Sequence, residues 1–231
     1  MSLDVYVMPM WRFKAGDVET AAQRLIGGKS KIVTPLGIFS PQLIKGYLSR
    51  RTARQRVRRI VAEAEKELKT KIDWQDDGDV VHSQQAWWGF EALRAFAKWL
   101  DLKDQLPTFG DAPENNYYKH PAMQWDAEPR LFRFSHIIDH SCHSGYYVPS
   151  RFDRVVFVEP FQLFGAFTFY HSFGSSYTLA DQLRKLEPHI PSENDAAISE
   201  PARELITAGF ETLRELAMKS IEHKLPIVFW G

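Results

Sequence analysis

Apolar residues recur along this chain with two periods, and the alternation between them assigns most of its elements. Leu3, Val5 and Val7 alternate with Tyr6, Met8 and Met10, which reads as a strand buried on both faces over the first dozen residues, with Pro9 marking an edge or bulge. Val18 to Ile26 has helical character and stops at Gly27-Gly28; Lys31 to Phe39 reads as a short strand interrupted at Pro35-Leu36-Gly37. Leu48, Ala53, Val57, Ile60, Val61, Ala64 and Leu68 then follow three- and four-residue steps, the stripe of a long amphipathic helix. An acidic turn holding Asp73, Asp76, Asp77 and Asp79 leads into a second helix predicted over Ser83 to Leu100. Ala86, Phe90, Leu93, Ala97 and Leu100 keep the helical step there, and Trp87, Trp88, Phe96 and Trp99 fill the flanks.

Asp101 to Arg130 is rich in Pro, Asn and Asp and reads as a long connection, a length that is more often functional than idle. Strands are predicted at Phe132 to Ile138, Val155 to Val158 and Phe164 to Tyr170. Gly174-Ser175-Ser176 precedes the stripe Leu179, Leu183 and Leu186, so Ser175 or Ser176 is the predicted N-cap, and Pro188 and Pro191 end that helix. Ser199 with Pro201 starts a last helix running to about Lys224, and Ile227 to Trp230 is a terminal strand. Intermixed helices and strands, without repeats or a clear linker, predict one α+β domain over residues 1–231, with a mixed or antiparallel sheet covered by three or four helices.

Charge adds a constraint. Lys plus Arg and Asp plus Glu each number 29, so no net field draws the chain to nucleic acid or to an anionic membrane, and any such partner needs a local patch. One such patch is Arg at 50, 51, 54, 56, 58 and 59, a ridge suited to phosphate or an acidic partner, or a solvated helix face on which Arg59 meets Glu63 one turn later. A single cysteine excludes an internal disulfide and fits a reducing compartment. The first residues lack the apolar run of a signal peptide, and no stretch is long and apolar enough to span a membrane, so a cytoplasmic protein is expected.

The densest candidate chemistry is His136, His140, Cys142 and His143, with Asp139 among them and His171 further on. Imidazole, thiolate and carboxylate are ligands that zinc prefers, and either an extended or a helical segment aligns three of them. A metal-dependent or thiol hydrolase built on these residues is one reading; turn polar residues with no cofactor is the other. The acidic turn fails as an EF-hand loop, because counting from Asp73 places Gln84 where a bidentate Glu is required. Gly174-Ser175-Ser176 offers free amides at a helix start, which suit an anion or serve as a plain cap.

At Gly145-Tyr146-Tyr147-Val148-Pro149, and again at Phe173-Gly174-Ser175-Ser176 with Leu179, Leu183 and Leu186, the sequence resembles a set of small bacterial proteins of the toxin-immunity type, over about 45 residues. The resemblance implies a non-enzymatic intracellular binding protein that occludes a protein partner, such as a toxin, and carries over no catalytic residue. On that reading Tyr146, Tyr147, Tyr117, Tyr118 and Trp125 are the expected contact anchors, since large rings give contact area at modest entropic cost, and Ser175 and Ser176 are candidate binding groups. The neutral charge balance weighs against a nuclease as the partner. Nucleic-acid binding through the arginine ridge is a third reading.

Overall fold

Successive side chains of a strand point to opposite faces, and here both faces are apolar, so the sheet must be covered on both sides. The computed structural model describes residues 4–15, 32–34, 37–39, 47–74, 76–79, 81–85, 87–106, 108–110, 112, 116–125, 132–140, 145–158, 171–192, 195 and 197–230. A six-stranded sheet is formed by β1 (Asp4–Val7), β4 (His82–Gln85), β5 (Gly145–Val148), β6 (Val156–Val158), β7 (His171–Ser175) and β8 (Ile227–Trp230), in the order β4-β1-β8-β5-β7-β6. Only β5 and β7 pair in parallel; the other neighbours are antiparallel, so the sheet is mixed. The terminal strand β8 lies inside the sheet, between β1 and β5. A separate hairpin joins β2 (Ile32–Thr34) and β3 (Gly37–Phe39), where a strand broken at Pro35-Leu36-Gly37 was expected.

Two cores follow from the alternation. Val5, Val7, Tyr147, Ile227 and Phe229 face a cluster with helices α3 (Trp87–Asp101), α6 (Ser176–Leu186) and α7 (Glu200–His223). Tyr6, Tyr146, Val148, Phe173 and Val228 face the other, with α1 (Met10–Ala15) and α2 (Tyr47–Leu68). This is an α+β fold whose sheet is mixed, where a mixed or antiparallel one was expected, and the four long helices among the described residues divide between the two faces.

Ser175 caps α6, its Oγ accepting from Thr178 N at 3.1 Å, and Ser199 caps α7 through Ala202 N, as read from the sequence. Three elements differ. The first strand ends at Val7 because the amide of Met10 donates to Asp76 Oδ1 at 2.6 Å and the Pro9 carbonyl accepts from Arg12 and Phe13, which starts α1 instead. The predicted second helix begins only at Trp87, since residues 82–85 pair with β1. Residues 135–138 form a helical turn, α5 (Ser135–Ile138), rather than a strand. The Ile138 carbonyl there accepts from Arg94 Nε at 3.0 Å and from its terminal nitrogen at 2.6 Å, while the His136 amide donates to Gln182. Side chains from α3 and α6 thus take the backbone groups that a strand neighbour would use. The expected helix at 18–26 and strand at 164–170 lie outside the described residues, as do the side chains of Trp87 and Trp88.

Helices α3 and α7 meet at Gly89 and Gly209. A Cβ on Gly89 would stand 2.8 Å from Gly209 N and 3.0 Å from the Leu205 carbonyl, and one on Gly209 would overlap the Gly89 carbonyl. The obstruction is backbone, which cannot swing away. Gly209→Ala gains about 1 kcal/mol in helix propensity but incurs overpacking of about 1–3 kcal/mol or more, and the clash wins. A net loss of about 2 kcal/mol lowers Tm by about 4–8 °C in a chain of this size. Thermal unfolding checks this against Gly110→Ala, whose added methyl meets nothing within 4 Å; equal Tm values for the two variants would refute the close contact.

Candidate binding surfaces

The apolar face of α7 (Ala202, Ile206, Gly209, Phe210, Leu213, Leu216, Ala217) is buried against α3, α6 and the sheet. The outward face carries Glu200, Glu204, Glu211, Glu215 and Glu222, all exposed. At about 100° per residue these five fall within about 60° of one another, opposite the buried stripe, along a rise of about 33 Å. Of the cations of the same helix, two are directed elsewhere and two stand against the row itself. Arg203 donates to the carbonyls of Asp195 and Ile198, and Arg214 pairs with Glu187 at 2.9 Å. Lys219 pairs with Glu215 at 2.7 Å, and His223 stands 4.0 Å from Glu222. Among the described residues, Glu200, Glu204 and Glu211 have no ion-pair partner. The sequence holds this signal, a four-seven-four-seven spacing of glutamates, but a search for apolar periodicity passes over it.

The other side of the sheet carries the opposite sign. Ala53, Val57, Ile60 and Ala64 bury α2, and Arg50, Arg51, Arg54, Arg56, Arg58 and Arg59 are exposed. Arg54 stacks 4.7 Å from the Trp11 ring and lies 3.5 Å from Asp77. The expected Arg59–Glu63 pair is not formed among the described ion pairs. Trp11, Arg50, Arg51, Arg54, Gln55 and Arg58 line a cavity of about 630 Å³. A second, of about 440 Å³, adjoins it past Arg54 and Arg58 and holds Trp74, Asp76 and Asp77.

The residues singled out from the sequence are placed mostly inside. Tyr146 and Tyr147 are consecutive on β5, so they point to opposite faces, and both are buried; neither offers area to a partner. Tyr146 packs on Phe173 and His171; Tyr147 stacks on His140 at 3.8 Å and donates to the His136 carbonyl. Gly174 makes room for that ring, since a Cβ there would lie 2.6 Å from Tyr147 Cδ1. Tyr117 is buried beside Phe109 and His120. His120 Nδ1 accepts from Ala122 N, which leaves Nε2–H to donate to the Gly110 carbonyl at 3.0 Å. Tyr118 is half-buried, and Trp125, 39% exposed, is the anchor of this set that reaches solvent. Ser175 and Ser176 are buried and internally satisfied, Ser176 by Ser220 at 2.7 Å, so they present nothing to an anion.

His136 and His140 are fully buried and serve different neighbours: His140 Nε2 bonds the Tyr146 carbonyl, while both ring nitrogens of His136 lack partners. Cys142 and His143 lie outside the described residues, and among those described no group of three or more His, Cys, Asp or Glu side chains could hold a metal ion. No helix among the described residues is long and apolar enough to cross a membrane.

Burial sets the titration of the inner polar groups. It pushes His136 down to about 4, partly opposed by Asp153, and pushes Asp76 up to about 6 despite the amides of Met10 and Trp11 and the nearby Arg54. Lys14, packed over Tyr146 and 3.4 Å from His171, falls to about 8 through burial and Arg56. The first two groups oppose each other in acid. His136 is protonated more readily in the unfolded chain, so its stabilising contribution, complete above about 6.5, is lost as pH falls toward 4. Asp76 holds its proton more tightly when folded, so its contribution, complete below 3.8, is lost as pH rises through about 6. His136→Phe is therefore expected to become less stable as pH rises through this window, and Asp76→Asn more stable. Urea unfolding at a series of pH values checks both, and two parallel curves would refute the assignment.

No curated protein and no solved structure matches the chain. Residues 1–229 match the family described as "Putative DNA-mimic protein". That match runs through β1, both charged helices and β8, and the chain belongs to this family.

Proposed function

We propose that this protein is a non-enzymatic binding protein that occupies the DNA-binding surface of a protein partner, with the outer strip of α7 standing in for a phosphate backbone. The observation that carries the reading is the aligned row of Glu200, Glu204, Glu211, Glu215 and Glu222 on a helix with its opposite face locked into the core. A rigid row about 33 Å long covers the axial length of about ten base pairs at 3.4 Å each. It is sparser than a phosphate strand, so it fits a partner that contacts one face of the duplex at spaced positions. Because the helix already fixes the backbone that carries the carboxylates, little backbone entropy remains to be lost on docking. The family description supports the same action. The resemblance to immunity-type proteins adds a finer version, in which the partner is a toxin that acts on DNA; the neutral total charge does not oppose it, because the acidic row lies apart from the basic ridge.

Immobilised protein is expected to retain a DNA-binding partner from its source cells and to release it when free duplex DNA is added. Glu204→Lys with Glu211→Lys leaves the fold intact, these side chains being exposed, and is expected to weaken retention at least about tenfold, the loss of two charge contacts. A partner held equally by wild type and variant, or one that duplex DNA does not displace, would refute the proposal.

A further inference from the structure

The basic cavity on the α1/α2 side is unused by the α7 reading, and its composition is narrow. Arg50, Arg51, Arg54 and Arg58 lie within about 12 Å of helix rise, each a neighbour of another at three or four residues, an arrangement that like-charge repulsion disfavours. Arg54 has Asp77 at 3.5 Å; among the described residues Arg50, Arg51 and Arg58 have no carboxylate partner. Apart from Gln55, the described polar side chains lining the cavity are donors that carry no acceptor. Trp11, only 7% exposed, is a wall of the cavity and carries the Arg54 guanidinium 4.7 Å from its ring.

We propose that this cavity is a binding site for the phosphate group of a nucleotide, free or within a strand, held by Arg50, Arg51 and Arg58. One guanidinium fork suffices for a carboxylate, whereas several forks around one volume suit an oxyanion whose oxygens accept from several directions. A volume of about 630 Å³ exceeds a bare phosphate and falls in the range of about 300–1,000 Å³ usual for small-molecule sites. Glu65, Asp76 and Asp77 line the adjoining cavity, which shares Arg54 and Arg58 with this one, whereas the described lining of the site itself holds no carboxylate.

Titration calorimetry on the full chain, at constant ionic strength, would use inorganic pyrophosphate, a nucleoside triphosphate, a single-stranded oligonucleotide and poly-glutamate. The phosphorylated probes are expected to bind, and Arg51→Gln with Arg58→Gln to weaken them about tenfold or more, the loss of charge-assisted hydrogen bonds. Tighter binding of the oligonucleotide than of the triphosphate identifies a strand as the ligand, and the reverse identifies a free nucleotide. No binding of any phosphorylated probe, binding unchanged in the arginine variant, or poly-glutamate binding as tightly as pyrophosphate would overturn the proposal. Glu204→Gln with Glu211→Gln leaves this binding unchanged, which separates its failure from a failure of the α7 reading.

Discussion

The structure depends on a sheet that is apolar on both faces. Val5, Val7, Tyr147, Ile227 and Phe229 face one way and Tyr6, Tyr146, Val148, Phe173 and Val228 the other, so neither face can meet water. Burying side chains of this size is worth about 1.5–3 kcal/mol each, which dominates any local preference of the segments between the strands. The helices are therefore the outer layers, and the chemistry the protein shows to a partner is largely helix chemistry.

That arrangement gives the equal numbers of acidic and basic residues a meaning that the total conceals. The acidic row of α7 and the arginine ridge of α2 are anchored in different cores, with the sheet between them. Each keeps a local field, because charges separated by more than a Debye length of about 8 Å at physiological salt are largely screened from one another. A chain with no net charge thus carries two surfaces of opposite sign.

Of the polar residues that first attract notice, those described mostly serve the interior. His140 is clamped between Tyr147 and the Tyr146 carbonyl, Ser176 is bonded to Ser220, and Arg94 joins Glu91 to the end of α5. Buried groups of this kind must be paired or lose their charge, which is why His136, lacking partners, is held neutral. His136, His140 and Arg94 meet where α3, α5 and β5 come together, and there backbone groups outside regular ladders need side-chain partners.

Local sequence determined the α+β class, the long helices α2, α6 and α7, a serine start for α6 and α7, and the terminal strand, because these features are set by residues close in sequence. The acidic row was equally local, and the helical repeat of α7 suffices to align it. What only the tertiary structure decided is which groups face outward. Tyr146 and Tyr147 read as anchors until both sheet faces proved to be covered; Ile137 and Ile138 read as a strand until Arg94 and Gln182, distant in sequence, took up the backbone groups of their turn. Trp11 and the arginines of α2 form one cavity only because Asp76 starts α1 beside that helix. Exposure and convergence depend on partners far along the chain, and no local pattern encodes them.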